Sequence, residues 1–429
     1  MNKKRLKRTL SILLFTIFTL SSINTVVFAK DTPPEITSEN GVLIDGTTGE
    51  VLYSKNSDEV FPPASTTKVM TALLTLEHCK IEDKVLVGKN PPFADGSRAG
   101  IRENEELTVK DLLYGLLFVS GNDCANALAE HVGGSLEGFV TMMNNRAKEL
   151  GLINTNFVNP NGLYDPLHRS TVKDLALIMR ELVKHPEYSE IATDNKLYNI
   201  IAPNTPDIVH PVSNEIQMVW KNGKYYYDGV EGGKTGYTTQ SLFSYVVSAK
   251  RNGQRLIVAL HSSTKSYYAD SIKLLDYGFK NFELAKLYSK GDKISDYEIN
   301  DKISIPLLAA DDFFYVKEKG SNIVPQISIN KKNTGNVSFS RGDTVLDASI
   351  TLGNENIGKL KLVSGGDYKL KTPSTPTESS DKPASSSSNK LVPLIILGFI
   401  LTIIMVRIGI VRKIFIKSKR GVKEWNSYR

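Results

Sequence analysis

The sequence predicts an α/β domain, its sheet built from strands near both ends of the domain with a helical insert between, followed by a small all-β domain. Three observations carry this. A hairpin opens the region: Val42–Asp45, the turn Gly46-Thr47-Thr48-Gly49, then Val51–Ser54. Helical patterns start at Ser65, Val109, Asn122 and Phe139. Strands return after Gly229, where Leu242–Lys250 and Arg255–Ser262 flank Arg251-Asn252-Gly253-Gln254. Asn-Gly between β-rich runs is the strongest short hairpin signal. This first domain is expected over residues 36–283.

From 284 to 371 the pattern changes. The short runs Lys302–Ile305, Phe313–Val316, Ile323–Ile329, Asn336–Phe339, Ala348–Leu352 and Lys359–Leu362 alternate with Gly, Asn and Asp turns, as in a small β-domain. The two ends read differently. Residues 1–29 look like a secretory leader: Lys3, Lys4, Arg5, Lys7 and Arg8, then apolar Leu10–Leu20, then Val27-Phe28-Ala29 as a cleavage site. Residues 372–390 are rich in Ser, Thr and Pro and read as a tether. Leu391–Val406 carries no charge, and extension to Val411 gives about 21 residues, enough to span a bilayer. The tail at 412–429 holds seven Lys or Arg and one acid, Glu424, which marks a cytoplasmic flank. The expected arrangement is a body outside the cell, held to the lipid bilayer by a single span.

Much of the formal charge of +7 lies in the two terminal segments, so no nucleic-acid partner is inferred. Two cysteines, Cys79 and Cys124, are too few for a disulfide scaffold and are expected as free thiols. The six histidines are scattered, with no metal-ligand cluster, and neither metal nor cofactor is expected.

The chemistry lies in three short motifs in fixed order: Ser65-Thr66-Thr67-Lys68, Ser120-Gly121-Asn122 and Lys234-Thr235-Gly236. Each alone is weak. The first is often an ordinary helix start, the second a turn, the third a strand end. Together they match an acyl-enzyme signature, with Gly121 where that signature has Asp. A serine hydroxyl needs a base before it attacks. Three residues apart on a helix, Ser65 and Lys68 share a face and come within hydrogen-bond reach. Ser65–Glu77 has the helical period through Val69, Leu73, Leu74 and Leu76, and Phe61-Pro62-Pro63-Ala64 sets a turn before it. Ser65 thus sits where backbone N–H groups are unpaired and face developing negative charge. Lysine is a base only if burial or a second cation lowers its pKa, and Lys234 is that cation. Ser120 can relay a proton to a leaving amine. Asn122 can accept from Lys68 and donate to a substrate amide. The third motif sits on or beside a strand pair, where an edge strand can hold an extended peptide.

Carried by these residues, the chain resembles D-alanyl-D-alanine carboxypeptidases of the low-molecular-weight penicillin-binding protein type over roughly 36–371. The resemblance rests on the three motifs and on Asn159-Pro160-Asn161-Gly162-Leu163, Ser170-Thr171-Val172-Lys173-Asp174, Gly233 to Thr238 and Leu274 to Phe279. It implies a β-lactamase/transpeptidase-like sheet with a helical insert. It further implies that Ser65 is acylated by the penultimate D-alanine of a peptidoglycan stem pentapeptide, and by β-lactams. Lys68 would be the base, with Ser120 and Asn122 completing the network. Lys234, Thr235 and Gly236 would bind substrate, and the N–H groups of Ser65 and Tyr237 would form the oxyanion hole. Family members can carry an arginine after the last strand for the substrate carboxylate. Ser262–Tyr268 has none, and Lys265 is the nearest cation. Other readings on the same fold are a β-lactamase, an endopeptidase or transpeptidase, and an inactive wall-binding protein. A β-lactamase needs an efficient deacylating base, which in class A enzymes is a glutamate, and residues 156–170 hold Asp165 but no glutamate.

Overall fold

The computed structural model describes residues 32–300, 303–329 and 338–369. The leader, tether, span and basic tail expected from the sequence lie outside the described residues.

Strands β1 (Asn40–Asp45) and β2 (Val51–Lys55) form the expected hairpin. The Asp45 carboxylate closes its turn by accepting from the N–H groups of Thr47 and Thr48 at 2.9 and 2.8 Å. A 3-10 turn, Ala64–Thr67, then runs into α1 (Lys68–His78). The helix expected from Ser65 therefore begins as a tighter turn, entered through Ala64 at a positive φ of 49°.

A short hairpin, β3 (Lys84–Leu86) and β4 (Glu106–Thr108), leads into α2 (Val109–Phe118). Thr108 and Asp111 cap α2 reciprocally. Helix α3 (Asn122–Gly133) follows, then α4 (Leu136–Glu149). Helix α4 starts three residues before the expected Phe139 because Ser135 accepts from the N–H of Gly138 and caps it. Helices α5 (Val172–Leu182) and α6 (Pro186–Ala192) precede a hairpin of β5 (Tyr198–Ile200) and β6 (His210–Val212). Three long strands return, β7 (Val230–Thr238), β8 (Leu242–Arg251) and β9 (Gln254–Ser262), and α7 (Tyr267–Asn281) closes the domain.

The sheet is antiparallel in the order β2-β1-β9-β8-β7, so strands from both ends of the domain meet at the β1–β9 pair. Both faces are covered. Val42, Ile44, Val246, Ile257 and Ala259 point into a core shared with α1, α2 and α5. Leu43, Val247, Leu256, Val258 and Leu260 point into a second core under α7. All ten are fully buried, so truncating one of the larger of them to alanine costs about 2–5 kcal/mol. β7 lies at the edge of the sheet beside the helical layer, with β8 as its one strand neighbour among the described residues.

In the second domain, β10 (Phe282–Tyr288) begins directly after α7 and pairs with β13 (Phe313–Glu318). The change of pattern expected at 284 thus falls inside a strand. β11 (Lys293–Asn300), β12 (Ile303–Ala309), β14 (Gln326–Ile329), β15 (Thr344–Leu352) and β16 (Glu355–Ser364) form a sheet in the order β11-β12-β16-β15-β14. Ile305, Leu307, Ala348, Ile350, Leu360 and Leu362 supply its core. Ile323 and Val324, expected in a strand, are exposed loop residues before β14.

Candidate active site

The first motif is held by three separate segments. The carbonyl of Pro63 accepts from Thr66 Oγ1 at 2.6 Å and from Ser244 Oγ of β8 at 2.7 Å. Phe61 and Ser170 exchange backbone hydrogen bonds of 2.9 and 3.0 Å, which ties the 156–170 loop to the strand-like entry. Gly162, at φ +88°, passes so close that a Cβ there would lie 1.8 Å from the Ala64 carbonyl oxygen. The residue before the nucleophile is therefore strained and clamped, which fixes where Ser65 points.

Lys68 is fully buried, and its Nζ meets three oxygens: Ser65 Oγ at 3.0 Å, Asn122 Oδ1 at 2.6 Å and the Asn161 carbonyl at 2.6 Å. Burial drives its pKa well below the ordinary lysine value, the charge of Lys234 lowers it further, and Asp123 opposes both. A neutral amine has two hydrogens and one lone pair. Asn122 Oδ1 and the Asn161 carbonyl can only accept, so they take the hydrogens and leave the lone pair facing Ser65.

Asn122 is oriented by its own amide nitrogen, which donates to the Asp95 carbonyl. One of its two amide hydrogens is thus committed to the protein, and only the other is left for a substrate. Asp123 next to it gathers the 95–101 loop, accepting from the N–H groups of Ala99 at 3.0 Å and Gly100 at 2.7 Å. That loop brings Ser97 to the cleft. Ser120 sits at φ +58°, and its buried Oγ has no hydrogen-bond partner among the described residues. A buried hydroxyl without a protein partner is suited to meet one on the substrate.

Lys234 lies on β7, 2 % exposed, with Nζ 3.0 Å from the Thr235 carbonyl. Burial lowers its pKa to about 8 against the pull of Glu215. A Cβ on Gly236 would lie 2.9 Å from the Ser65 nitrogen, so only glycine lets β7 pass this close to the nucleophile. Ser65, Ser120, Thr235, Gly236, Tyr237 and Lys265 line one cleft of about 500 Å³. Lys265 faces it with Nζ 5.8 Å from the Phe243 ring centre, and Phe243 stacks on Tyr237 at 4.5 Å. All nine residues singled out from the sequence thus converge: seven line the cleft or, as Lys234 does, lie buried beneath it, and Lys68 and Asn122 stand behind Ser65.

Sequence reasoning missed the carbonyl of Asn161, Ser97, Glu215, and the aromatic wall of Phe243 and Tyr267. It also missed His168. That ring accepts from the Val158 N–H at 3.1 Å through Nδ1, so Nε2 carries the hydrogen and donates to Thr67 at 2.8 Å. Burial lowers its pKa to about 4 and keeps it neutral. Cys79 and Cys124 are both free thiols.

The profile of D-alanyl-D-alanine carboxypeptidases matches residues 27–264, and that of the C-terminal domain of penicillin-binding protein 5 matches residues 282–370. The chain belongs to the D-alanyl-D-alanine carboxypeptidase family. It is a serine peptidase of the low-molecular-weight penicillin-binding protein type, as the resemblance in its motifs implies. It is 36% identical to the carboxypeptidase DacF of Bacillus subtilis over 305 residues, 68% of this chain and 76% of that one. This chain shares its fold with penicillin-binding protein 5 of Haemophilus influenzae, at a TM-score of 0.67 and 31% identity over 79% of this chain and 99% of that one. It is also similar to the DD-transpeptidase of Streptomyces K15, with a TM-score of 0.53 and 28% identity over 58% of this chain and 99% of that one.

Proposed function

We propose that this enzyme removes the terminal D-alanine from peptidoglycan stem pentapeptides through an acyl-enzyme on Ser65. Lys68 takes the Ser65 proton as Oγ attacks the penultimate D-alanine carbonyl. The N–H groups of Ser65 and Tyr237 receive the oxyanion. Ser120 gives its proton to the departing nitrogen and takes the one held by Lys68, so free D-alanine leaves and the Lys68 amine is neutral again. Water then gives a proton to Lys68 as it opens the ester, and Lys68 returns that proton to the departing Ser65 Oγ, which restores the serine. The observation that carries this reading is the amine of Lys68, 3.0 Å from Ser65 Oγ with two fixed acceptors behind it. The substrate lies extended along β7, adding a strand at the sheet edge. β-Lactams acylate the same serine.

Labelled penicillin tests this in one experiment. The expected result is a stable adduct on Ser65, slow release, and loss of D-alanine from pentapeptide. Fast release without D-alanine production makes the enzyme a β-lactamase. Against that reading stands the 156–170 loop, which offers Lys68 a carbonyl while Asp165 accepts from the Leu167 N–H within its own turn.

Lys234, Thr235 and Lys265 form the carboxylate end of the cleft. Thr235→Val removes a donor and nearly keeps the shape. On a free-acid D-Ala-D-Ala peptide it should cost about 1–3 kcal/mol in kcat/KM, and much less on the amide. Equal losses on the two substrates would remove Thr235 from carboxylate recognition.

We also propose that the enzyme works outside the cell, anchored through residues 391–411 with the basic tail inside. The charge asymmetry around that segment supports this reading. Among the described residues no helix is long and apolar enough to cross a membrane. A chain ending at Lys371 should be soluble and fully active on a small peptide. Its partition into membranes would move the anchor into the two domains.

A further inference from the structure

The sequence motifs leave one charge in the cleft without a role. Glu215 lines the same cavity as Thr235 and Lys265, and among the described residues it is the one carboxylate on that lining. Its backbone is fixed on both sides. Asn214 donates to the carbonyls of Ala192 and Asp194 at 2.9 and 3.0 Å, and the Glu215 carbonyl accepts from Tyr268 Oη at 3.4 Å. Its side chain is exposed to the cleft. Lys234 has the opposite problem. It is almost fully buried, and the Thr235 carbonyl 3.0 Å away is a neutral partner. A buried ammonium with so little compensation is costly.

We infer that Glu215 is a positioning residue: it is the counter-charge that keeps Lys234 an ammonium while the carboxylate end of the cleft is empty. This rests on the reading of Lys234 as a holder of the substrate carboxylate. The other groups around Lys234 do not supply the charge. Lys68 and Lys265 are bases. Tyr188 of α6 and Tyr245 of β8 pack against the glycines before it, and burial raises both phenols, so they stay neutral. Tyr267 on the cleft wall is raised as well. Burial lowers the Lys234 pKa to about 8, and among the described residues Glu215 alone pulls against it. Removing it must move that value down, so a larger share of the enzyme would meet its substrate with an uncharged Lys234. When the substrate carboxylate arrives it takes over as counter-ion, and Glu215 then sets the pH range over which the site is ready.

The test is Glu215→Gln, with two readouts. The first is the ratio of kcat/KM for a free-acid peptide to that for its amide, followed against pH. The ratio cancels the role of Lys68 as base, because both substrates need it. In the wild type the preference for the acid should fall with a midpoint near 8. In Glu215→Gln the midpoint should move down by at least about half a unit, which is a ~3-fold loss of preference above it. Glu215→Asp should restore part of the shift. The second readout is the titration of the Lys234 amine itself, by NMR on isotopically labelled lysine with Lys234→Arg for assignment. An unmoved Lys234 midpoint overturns the inference. So does a gain in acid preference at every pH with the midpoint unmoved, since Glu215 would then merely repel the substrate. A shifted amine titration without any acid preference in the wild type upholds the role of Glu215 and instead refutes carboxylate binding by Lys234.

Discussion

Ser65→Ala should abolish the covalent penicillin adduct and D-alanine release together, by at least ~10⁴-fold in rate. The fold should survive. The side chain loses one hydroxyl, and among the described residues that hydroxyl makes a single 3.0 Å hydrogen bond, to the Lys68 amine. A loss of about 1 kcal/mol lowers the melting temperature of a domain this size by roughly 2–4 °C. Intact-protein mass after incubation with a β-lactam reads the adduct directly. A mass shift in purified Ser65→Ala would place the nucleophile elsewhere.

Lys68→Arg keeps the positive charge and should be nearly as dead. An arginine stays protonated and has no lone pair to accept the serine proton. Its planar guanidinium must also replace an amine that fits between three oxygens within 3.0 Å, in a fully buried site. Stability should therefore fall by about 1–3 kcal/mol as well. Thermal melts before the assay separate the two effects. If the folded variant keeps more than about a tenth of the wild-type rate, a barrier change below ~1.4 kcal/mol, another group takes the proton.

Much of this site was legible because its chemistry is written in side chains at short spacing. Ser65 with Lys68 is a helix-face pair, and Lys234-Thr235-Gly236 announces itself before a hairpin. What stayed hidden depends on backbone. The Asn161 carbonyl that fixes the Lys68 amine has no residue signature, since any amino acid carries one. The Asn159–Leu163 segment carried the family resemblance without revealing what it does. Glu215 sits in a stretch with no period, and long-range folding alone brings it to the cleft. In the fold, α5 is absent from the expected helices although it was legible: Thr171 and Asp174 mark its cap, and Leu175, Ile178, Met179 and Leu182 keep the helical period. β10 and β11 were overlooked for another reason. Phe282–Tyr288 and Lys293–Asn300 mix charged with apolar residues and lack the continuous β-branched runs of β8 and β9. Ile323 and Val324 misled in the opposite direction, being apolar and yet exposed.

The clamp of Ser244 on the nucleophile turn also sets a timetable for the enzyme's own assembly. Thr66 and Ser244 lie 178 residues apart, and β1 gains its inner neighbour only when β9 arrives. Contacts of such sequence separation form late, because a long loop must close before they repay its entropy. A nascent chain that has emerged only as far as α6 already carries serine, lysine and asparagine. It has no wall for the oxyanion and no partner for Pro63, so it is a chemically silent precursor. Reactivity toward acyl donors switches on with the last three strands of the sheet, and a stalled or truncated chain should neither hydrolyse wall peptide nor be consumed by β-lactam.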